Sequence, residues 1–114
     1  MVQYQVNFVK GAAAHHNLSI DYLGIWNERP WGTTTYVKSL RAALDGAGFT
    51  GTQIVGSDGG VAGDQVAAMQ RDPAFSAAEP ILGLHYPCAS GVPEQVWSLP
   101  GAPKVVWSSE DNSG

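Results

Sequence analysis

The stretch "IDYLGIWNE", residues 20–28, is an apolar run that ends abruptly in an amide and a carboxylate. A run of this length, rich in Ile, Leu, Tyr and Trp, is typical of a buried β-strand, which we predict near residues 20–26. Because the run is nearly continuous and does not alternate with polar residues, it favours a strand covered on both faces, as in a parallel sheet. Asn27 and Glu28 would then lie at the carboxyl end of this strand.

Three further segments share this apolar character and predict strands near residues 52–57, 80–85 and 104–108. Each predicted strand ends at or near a polar side chain, and these ends recur at intervals of 25–30 residues, the spacing of repeated βα units. The four polar ends are Glu28, Asp58, His85 and Glu110. Two architectures supply such units, the (β/α)₈ barrel and the open doubly wound sheet, and both place ligands at the carboxyl ends of their strands. The sequence therefore predicts an α/β fold whose polar strand ends face one side.

The segments between the predicted strands fit helical crossovers. Residues 33–47 carry apolar side chains at helical spacing, with a Thr run that can cap the start of a helix and with Gly46 and Gly48 near its end. Residues 63–75 predict a second helix, with Asp64 as a cap and Pro73 near its end. Residues 93–99 are too short for more than two helical turns.

The first sixteen residues allow two interpretations. Residues 2–16 favour a helix that leads into the first strand. Gln3, Gln5 and Asn7 alternate with apolar residues, however, and that alternation also suits a strand.

The composition excludes several classes of protein. The 114 residues are 44% apolar and 14% charged, which is enough to bury a core in one ordered unit. The net charge is −4 and no Lys/Arg cluster is present, so nucleic acid is not an expected partner. No apolar stretch approaches the roughly 18 residues of a membrane span, and we expect neither a signal nor an anchor. Cys88 is the only cysteine, which excludes an internal disulfide and a zinc cluster of thiolates.

The two glutamates at the first and last strand ends are candidate catalytic carboxylates. Glu28 follows a buried strand directly, where we expect a partly dry environment; the alternative is a surface glutamate paired with Arg29. Glu110 closes the last strand beside two serines; the alternative is a helix cap or a solvated tail. Two carboxyl groups about 5–5.5 Å apart define a retaining glycosidase, so the pair matters more than either member.

Four other residues are candidates for substrate binding at the same edge. Asp58 could bind a sugar hydroxyl or support a base, although an aspartate before two glycines is also typical of a turn. His85 and Tyr86 could line the pocket, although a histidine at a strand end is often structural. Trp31 follows the Glu28 loop and offers an indole face for stacking on a sugar, whereas most of the four tryptophans are expected in the core.

Taken together, "IDYLGIWNER", "LGLHYP" and "VVWSSED" resemble glycoside hydrolase family 59, the galactocerebrosidases, which belong to a large (β/α)₈ clan. The resemblance covers most of the chain and is weakest in residues 61–79 and 89–102. It implies that residues 1–114 form one partial catalytic domain, about half of a TIM barrel. It also implies hydrolysis with retention of configuration, a part in sphingolipid metabolism and a lysosomal or secreted location.

The resemblance also assigns roles to three residues. It implies that Glu28 is the acid/base, that Glu110 is the nucleophile, and that Asn27 donates a hydrogen bond to the sugar 2-hydroxyl. The implied activity is that of an exo-β-galactosidase acting on galactosylceramide or related β-galactosides by double displacement, with no cofactor and no metal.

Three alternatives stay open from the sequence. The chain could be an inactive or partner-dependent fragment of such a barrel, a clan member acting on β-glucosides or β-xylosides, or a carbohydrate-binding module that uses its tryptophans. A half-barrel leaves two edge strands unpaired, so we expect a chain that folds alone to form a barrel-like homodimer or to bind a complementing half. A compact monomer in light scattering would contradict that expectation.

Overall fold

The computed structural model describes residues 1–29, 32–61, 63–101 and 103–111. The elements of these residues are α1 (Val2–His16), β1 (Tyr22–Gly24), α2 (Thr34–Gly46), β2 (Gln53–Gly56), α3 (Gly63–Arg71), α4 (Pro73–Ala78), β3 (Ile81–His85), α5 (Pro87–Ser90), a 3-10 helix (Glu94–Ser98) and β4 (Val105–Glu110). The fold is mixed α/β, as predicted. Within the described ranges, no helix has both the length and the apolar character needed to cross a bilayer.

The four strands form one parallel sheet in the order β1-β2-β3-β4. Strands that are consecutive in the sequence are therefore adjacent in the sheet, and each helical crossover leads to the next strand position. This arrangement is compatible with part of a βα barrel. All four predicted strands are confirmed, although β1 is shorter than predicted and β4 extends to Glu110.

Helix α1 confirms the helical interpretation of the first segment. Its buried apolar residues, Val6, Val9 and Ala12, recur at the helical period. The Gln5 side chain is also buried; its amide donates to the carbonyl oxygen of Gly24 at 3.2 Å and its Oε1 accepts from the Tyr36 hydroxyl at 2.5 Å. Gln5 therefore ties α1 and α2 to the end of β1.

The predicted start of α2 is confirmed, because the Thr33 hydroxyl accepts the backbone N–H of Tyr36 at 3.2 Å. The single helix predicted over residues 63–75 is wrong in one respect, since the chain forms α3 and α4 with a break at Asp72. Pro73 disfavours helical geometry at the preceding residue. Asp72 instead caps α4 by accepting the N–H of Phe75 at 2.9 Å.

One hydrophobic core lies between the helices and one face of the sheet. Its members are Val6 and Val9 of α1, Val37, Leu40 and Leu44 of α2, Leu23, Ile25, Ile54 and Leu82 of the sheet side, Val66 and Met69 of α3, Phe75 and Ala78 of α4, and Val96 and Leu99. Burial alternates along β1 and β2 and is largely lost along β4; only β3 is buried over most of its length. The expectation that all four strands are covered on both faces is therefore wrong for this chain.

The sheet is strongly curved. In a flat sheet, three strand spacings would separate β1 from β4 by about 14 Å. The rings of Tyr22 and Trp107, from these two outer strands, instead meet edge to face with centroids 4.6 Å apart. Both side chains are exposed, and they mark the open face of the sheet.

Gly56, the last residue of β2, marks a close approach between the sheet and the segment before β3. A Cβ atom built on Gly56 would lie 1.9 Å from Cδ of Glu79, a side chain that is completely buried. The position therefore has no room for any side chain.

We expect Gly56→Ala to lower the free energy of unfolding by at least about 2 kcal/mol, because the added methyl group must displace a buried carboxyl. Urea unfolding followed by circular dichroism measures this loss. Gly24→Ala is the matched control, since a Cβ atom on that strand glycine meets nothing within 4 Å. Equal stabilities of the two variants would contradict the close approach.

Candidate active site

Three polar side chains meet at the carboxyl edge of the sheet. Glu28 lies in the loop after β1, His85 is the last residue of β3, and Glu110 is the last residue of β4. Each offers one oxygen or nitrogen atom, and these atoms all lie within 4.8 Å of one another. The prediction that the polar strand ends converge is therefore confirmed for these three residues.

A bulge in the β3–β4 pairing brings Glu110 beside His85. Leu84 pairs with Ser108, but His85 pairs with Glu110, so Ser109 is the extra residue. Successive side chains of a regular strand point to opposite faces, whereas a bulge re-aims one of them. Here both Ser109, which hydrogen-bonds to Asp58, and Glu110 reach the same cluster.

Asp58 joins three of the strand ends. Its Oδ2 accepts the backbone N–H of Glu28 at 3.0 Å, and its Oδ1 lies 3.0 Å from Nε2 of His85. The hydrogen bond from Glu28 makes the largest contribution to lowering the pKa of the Asp58 carboxyl below its ordinary value, and bonds to Ser109 and His85 add to the effect. The carboxylate is therefore held ionised, and both of its oxygens bind neighbouring residues of the site.

Three residues at this edge have left-handed backbone conformations that are uncommon outside glycine. The φ angles are 47° at Glu28, 55° at Ser57 and 50° at Tyr86. They follow β1, β2 and β3 respectively. Such conformations cost free energy and concentrate at functional sites, so their clustering here is consistent with a site that requires specific side-chain directions.

Tyr86 contacts the Glu110 carboxylate and main chain. Its hydroxyl donates a hydrogen bond to Oε1 of Glu110, and its backbone N–H donates to the Glu110 carbonyl oxygen at 2.9 Å. The bond to the carboxylate raises the pKa of the Tyr86 hydroxyl. The His85 ring packs edge to face on the Tyr86 ring, with centroids 5.8 Å apart. Tyr86 therefore fixes the direction of Glu110.

The environment of the two glutamates differs from the prediction. Glu28 and Glu110 are both exposed, so the expectation of a partly dry Glu28 is wrong for this chain. The pairing of Glu28 with Arg29 is not observed either, because the ion pairs of the described residues do not include it. Asn27 is exposed beside Glu28, and Trp31 lies outside the described residues.

The expectation that most tryptophans are buried is also wrong for those that the structure describes. Trp26 is only partly buried against the core, whereas Trp97 and Trp107 are exposed. Cys88 is exposed on α5.

The sequence analysis missed Ser109. Its hydrogen bond to Asp58 depends on the bulge, and no residue pattern in the strand indicates where the bulge falls.

The cluster of Glu28, His85 and Glu110 has a donor set that a divalent cation could use, since carboxylate oxygens and imidazole nitrogens both bind zinc and manganese. Because Nε2 of His85 faces Asp58, Nδ1 is the ring nitrogen left for such a ligand. The same donor set also serves acid–base chemistry on an organic substrate.

A family model and individual related proteins both match this chain, and both indicate the same family. The family model of glycosyl hydrolase family 59 matches residues 1–114. A galactocerebrosidase from Danio rerio is 44% identical over 110 residues, which is 96% of this chain and 16% of that protein. The galactocerebrosidases of Mus musculus and Homo sapiens are each 36% identical over 110 residues, covering 96% of this chain and 15% of those proteins. The chain thus spans about one sixth of the length of these relatives.

We expect Asp58→Asn to reduce the free energy of unfolding at pH 7 by about 1–2 kcal/mol, because it weakens hydrogen bonds to a charged acceptor. The pKa of Asp58 is lower in the folded chain than in the unfolded chain. Its stabilisation is therefore complete above the unfolded pKa of about 3.9 and is lost as the pH falls through the folded pKa. Urea titrations at pH 7 and pH 3 test this.

The difference between the native chain and the variant should shrink at pH 3. Asp21→Asn, at an exposed aspartate before β1, should change stability by less than about 0.5 kcal/mol at pH 7 and serves as control. A loss of equal size at both pH values would contradict a role for the Asp58 charge.

Proposed function

The chain belongs to glycosyl hydrolase family 59, and from this premise we propose that it carries the catalytic carboxylate pair of a retaining exo-β-galactosidase. The observation that supports the proposal is the position of Glu28 and Glu110 at the carboxyl edge of the sheet, where one carboxylate oxygen of each lies within 4.8 Å of the other. Ligands of βα-unit folds bind at this edge.

The separation of the two carboxylates favours retention of configuration. Inverting glycosidases hold their carboxyl groups about 6.5–9.5 Å apart to admit a water molecule, whereas retaining enzymes hold them about 5–5.5 Å apart. One carboxylate oxygen of Glu28 and one of Glu110 lie within 4.8 Å of each other, which is too close for the inverting arrangement. A carboxylate this close to the acid can attack the sugar itself.

In the proposed reaction Glu110 is the nucleophile and Glu28 is the acid/base. Glu110 forms a bond to the anomeric carbon while the bond to the aglycone oxygen breaks, and that oxygen takes the proton of Glu28. A water molecule then attacks the anomeric carbon, Glu28 takes its proton, and the bond to Glu110 breaks. The Tyr86 hydroxyl supports this assignment, since it orients Glu110 without blocking its second oxygen.

We assign substrate contacts to residues around this pair. Asn27, next to Glu28, would donate to the sugar 2-hydroxyl, and Trp31, His85 and Tyr86 would line the sugar site. A direct contact from Asp58 to the sugar has less support, because both of its oxygens bind neighbouring residues.

The proposed substrate is a β-galactoside of a lipid, such as galactosylceramide, because the relatives carry the name galactocerebrosidase. The proposed domain is part of a (β/α)₈ barrel spanning residues 1–114. The sequential strand order and the contact of Tyr22 with Trp107 support this proposal, since a barrel requires both sequential strands and a curved sheet.

We expect 2-deoxy-2-fluoro-β-galactosyl fluoride to label the chain with one glycosyl group on Glu110. The fluorine at C2 slows both steps, and the fluoride leaving group needs no acid, so the covalent intermediate accumulates. Intact mass spectrometry followed by peptide mapping locates the label.

Glu110→Gln should abolish labelling, whereas Glu94→Gln, at an exposed glutamate of the 3-10 helix, should not affect it. The Danio rerio galactocerebrosidase is the positive control for the reagent. Labelling of the relative without labelling of this chain would show that residues 1–114 do not form a competent site alone. Labelling of this chain at another residue would overturn the assignment of the nucleophile.

A further inference from the structure

A chain of buried polar side chains lies behind the candidate site. Glu79 and Gln65 are completely buried, and Ser57 is nearly so. The Ser57 hydroxyl donates to Oε1 of Gln65 at 2.5 Å, and Nε2 of Gln65 donates to Oε1 of Glu79 at 2.5 Å. Buried polar groups are costly unless they are hydrogen-bonded, and these three side chains pair with one another through these two bonds.

The hydrogen bonds that link Ser57, Gln65 and Glu79 run in one direction. The Gln65 amide uses its oxygen toward Ser57, and its NH₂ group therefore faces Glu79. An acceptor is needed at residue 79, because the amide NH₂ would otherwise be buried without a partner. An apolar residue of equal size would fill the space but could not accept this hydrogen bond.

Glu79 also braces the backbone of β2. Its carboxyl group occupies the position that a Cβ atom on Gly56 would take, 1.9 Å from Cδ. Gly56 directly precedes Ser57, so Glu79 contacts this part of the chain through packing and through the bonds of Gln65. Lys104 secures Glu79 in turn, by donating from Nζ to the Glu79 carbonyl oxygen at 2.9 Å.

The braced segment ends in the turn that presents Asp58. Ser57 has a φ of 55°, a conformation that a serine adopts only when its surroundings enforce it. The next residue, Asp58, binds the backbone N–H of Glu28 and the ring of His85. A change in the direction of the Ser57 turn would therefore move the partner of both residues.

We infer that Glu79 is a positioning residue of the candidate active site, which acts through Gln65 and Ser57 to fix the turn that places Asp58 against Glu28 and His85. The consequence for catalysis rests on the proposed function. The consequence for the geometry of Glu28 and His85 does not.

The charge state of Glu79 agrees with a bracing role. Burial raises the pKa of its carboxyl to about 8, against the smaller effects of the Gln65 bond and of Lys104. Burial lowers the pKa of Lys104 to about 8, and its ammonium group bonds main-chain carbonyls, not the carboxylate. Oε2 of Glu79 has no hydrogen-bond partner in the described part of the chain, which suits a neutral carboxyl better than an anion.

The experiment compares Glu79→Met with Glu79→Gln in the isotopically labelled 114-residue chain. Both variants keep the approximate size of the side chain, but only glutamine keeps an acceptor for Gln65. We expect Glu79→Met to shift or broaden the backbone amide signal of Glu28 and the ring ¹⁵N signals of His85. Glu79→Gln should restore both signals to their native positions.

Val37→Ala is the control for a general loss of stability, since Val37 is completely buried in α2. It should lower the melting temperature without moving the Glu28 and His85 signals. If Glu79→Met does not fold, Ser57→Ala replaces it. This variant removes the hydroxyl that donates to Gln65, and it should shift the same Glu28 and His85 signals. Native signals in Glu79→Met or Ser57→Ala, or equal shifts in Val37→Ala, would overturn the inference.

Labelling by the fluorosugar gives a second readout. If the native chain is labelled on Glu110, Glu79→Met should slow labelling on the order of tenfold and Glu79→Gln should leave the rate near native, since small misplacements of reacting groups are costly. If the native chain is not labelled, the NMR signals alone decide. A failure of the proposed function therefore cannot be mistaken for a failure of the positioning role.

Discussion

The carboxylate of Asp58 is the constraint on which the geometry of the site depends. Parallel strands deliver their ends to one edge of a sheet, but they do not fix the loops that follow. Asp58 supplies that link, because it holds the backbone of the β1 loop and the last side chain of β3 through charge-assisted hydrogen bonds. Glu28 lies in an exposed loop four residues beyond β1, and Asp58 ties the backbone of that loop to the end of β2.

The bulge in β4 supplies the other half of the arrangement. A regular strand would send Ser109 and Glu110 to opposite faces, and only one of them could reach the edge that Asp58 organises. The register shift at His85 allows Ser109 to bind Asp58 while Glu110 stays near Glu28. Two local features thus bring the two carboxylates close together. Asp58 links the ends of neighbouring strands by hydrogen bonds, and the bulge adds one residue to β4.

The sequence predicts the parts of this structure that depend on local pattern. Local residue patterns predict the four apolar runs, the cap at Thr33 and the polar strand ends. Burial and capping each favour particular residue types at neighbouring positions. The break at Asp72 was missed because the helical pattern continues across it, although Pro73 was visible. Glu79 was missed because a glutamate after "SAA" looks like a surface charge. Its burial depends on Gly56 and Gln65, which are distant in the sequence.

A glycosidase needs both correctly placed carboxylates and a site from which water is excluded. The described residues supply mainly the placement of the carboxylates. Positioned carboxylates act most strongly where water is excluded, because charges interact more strongly at low dielectric. Glu28 and Glu110 are exposed, and the open face of the sheet carries the unburied rings of Tyr22 and Trp107. The relatives are about six times longer than this chain. Asp58, the bulge and the buried residues behind them therefore hold the two carboxylates in place for the proposed mechanism. Groups outside this cluster have to shield the site from water.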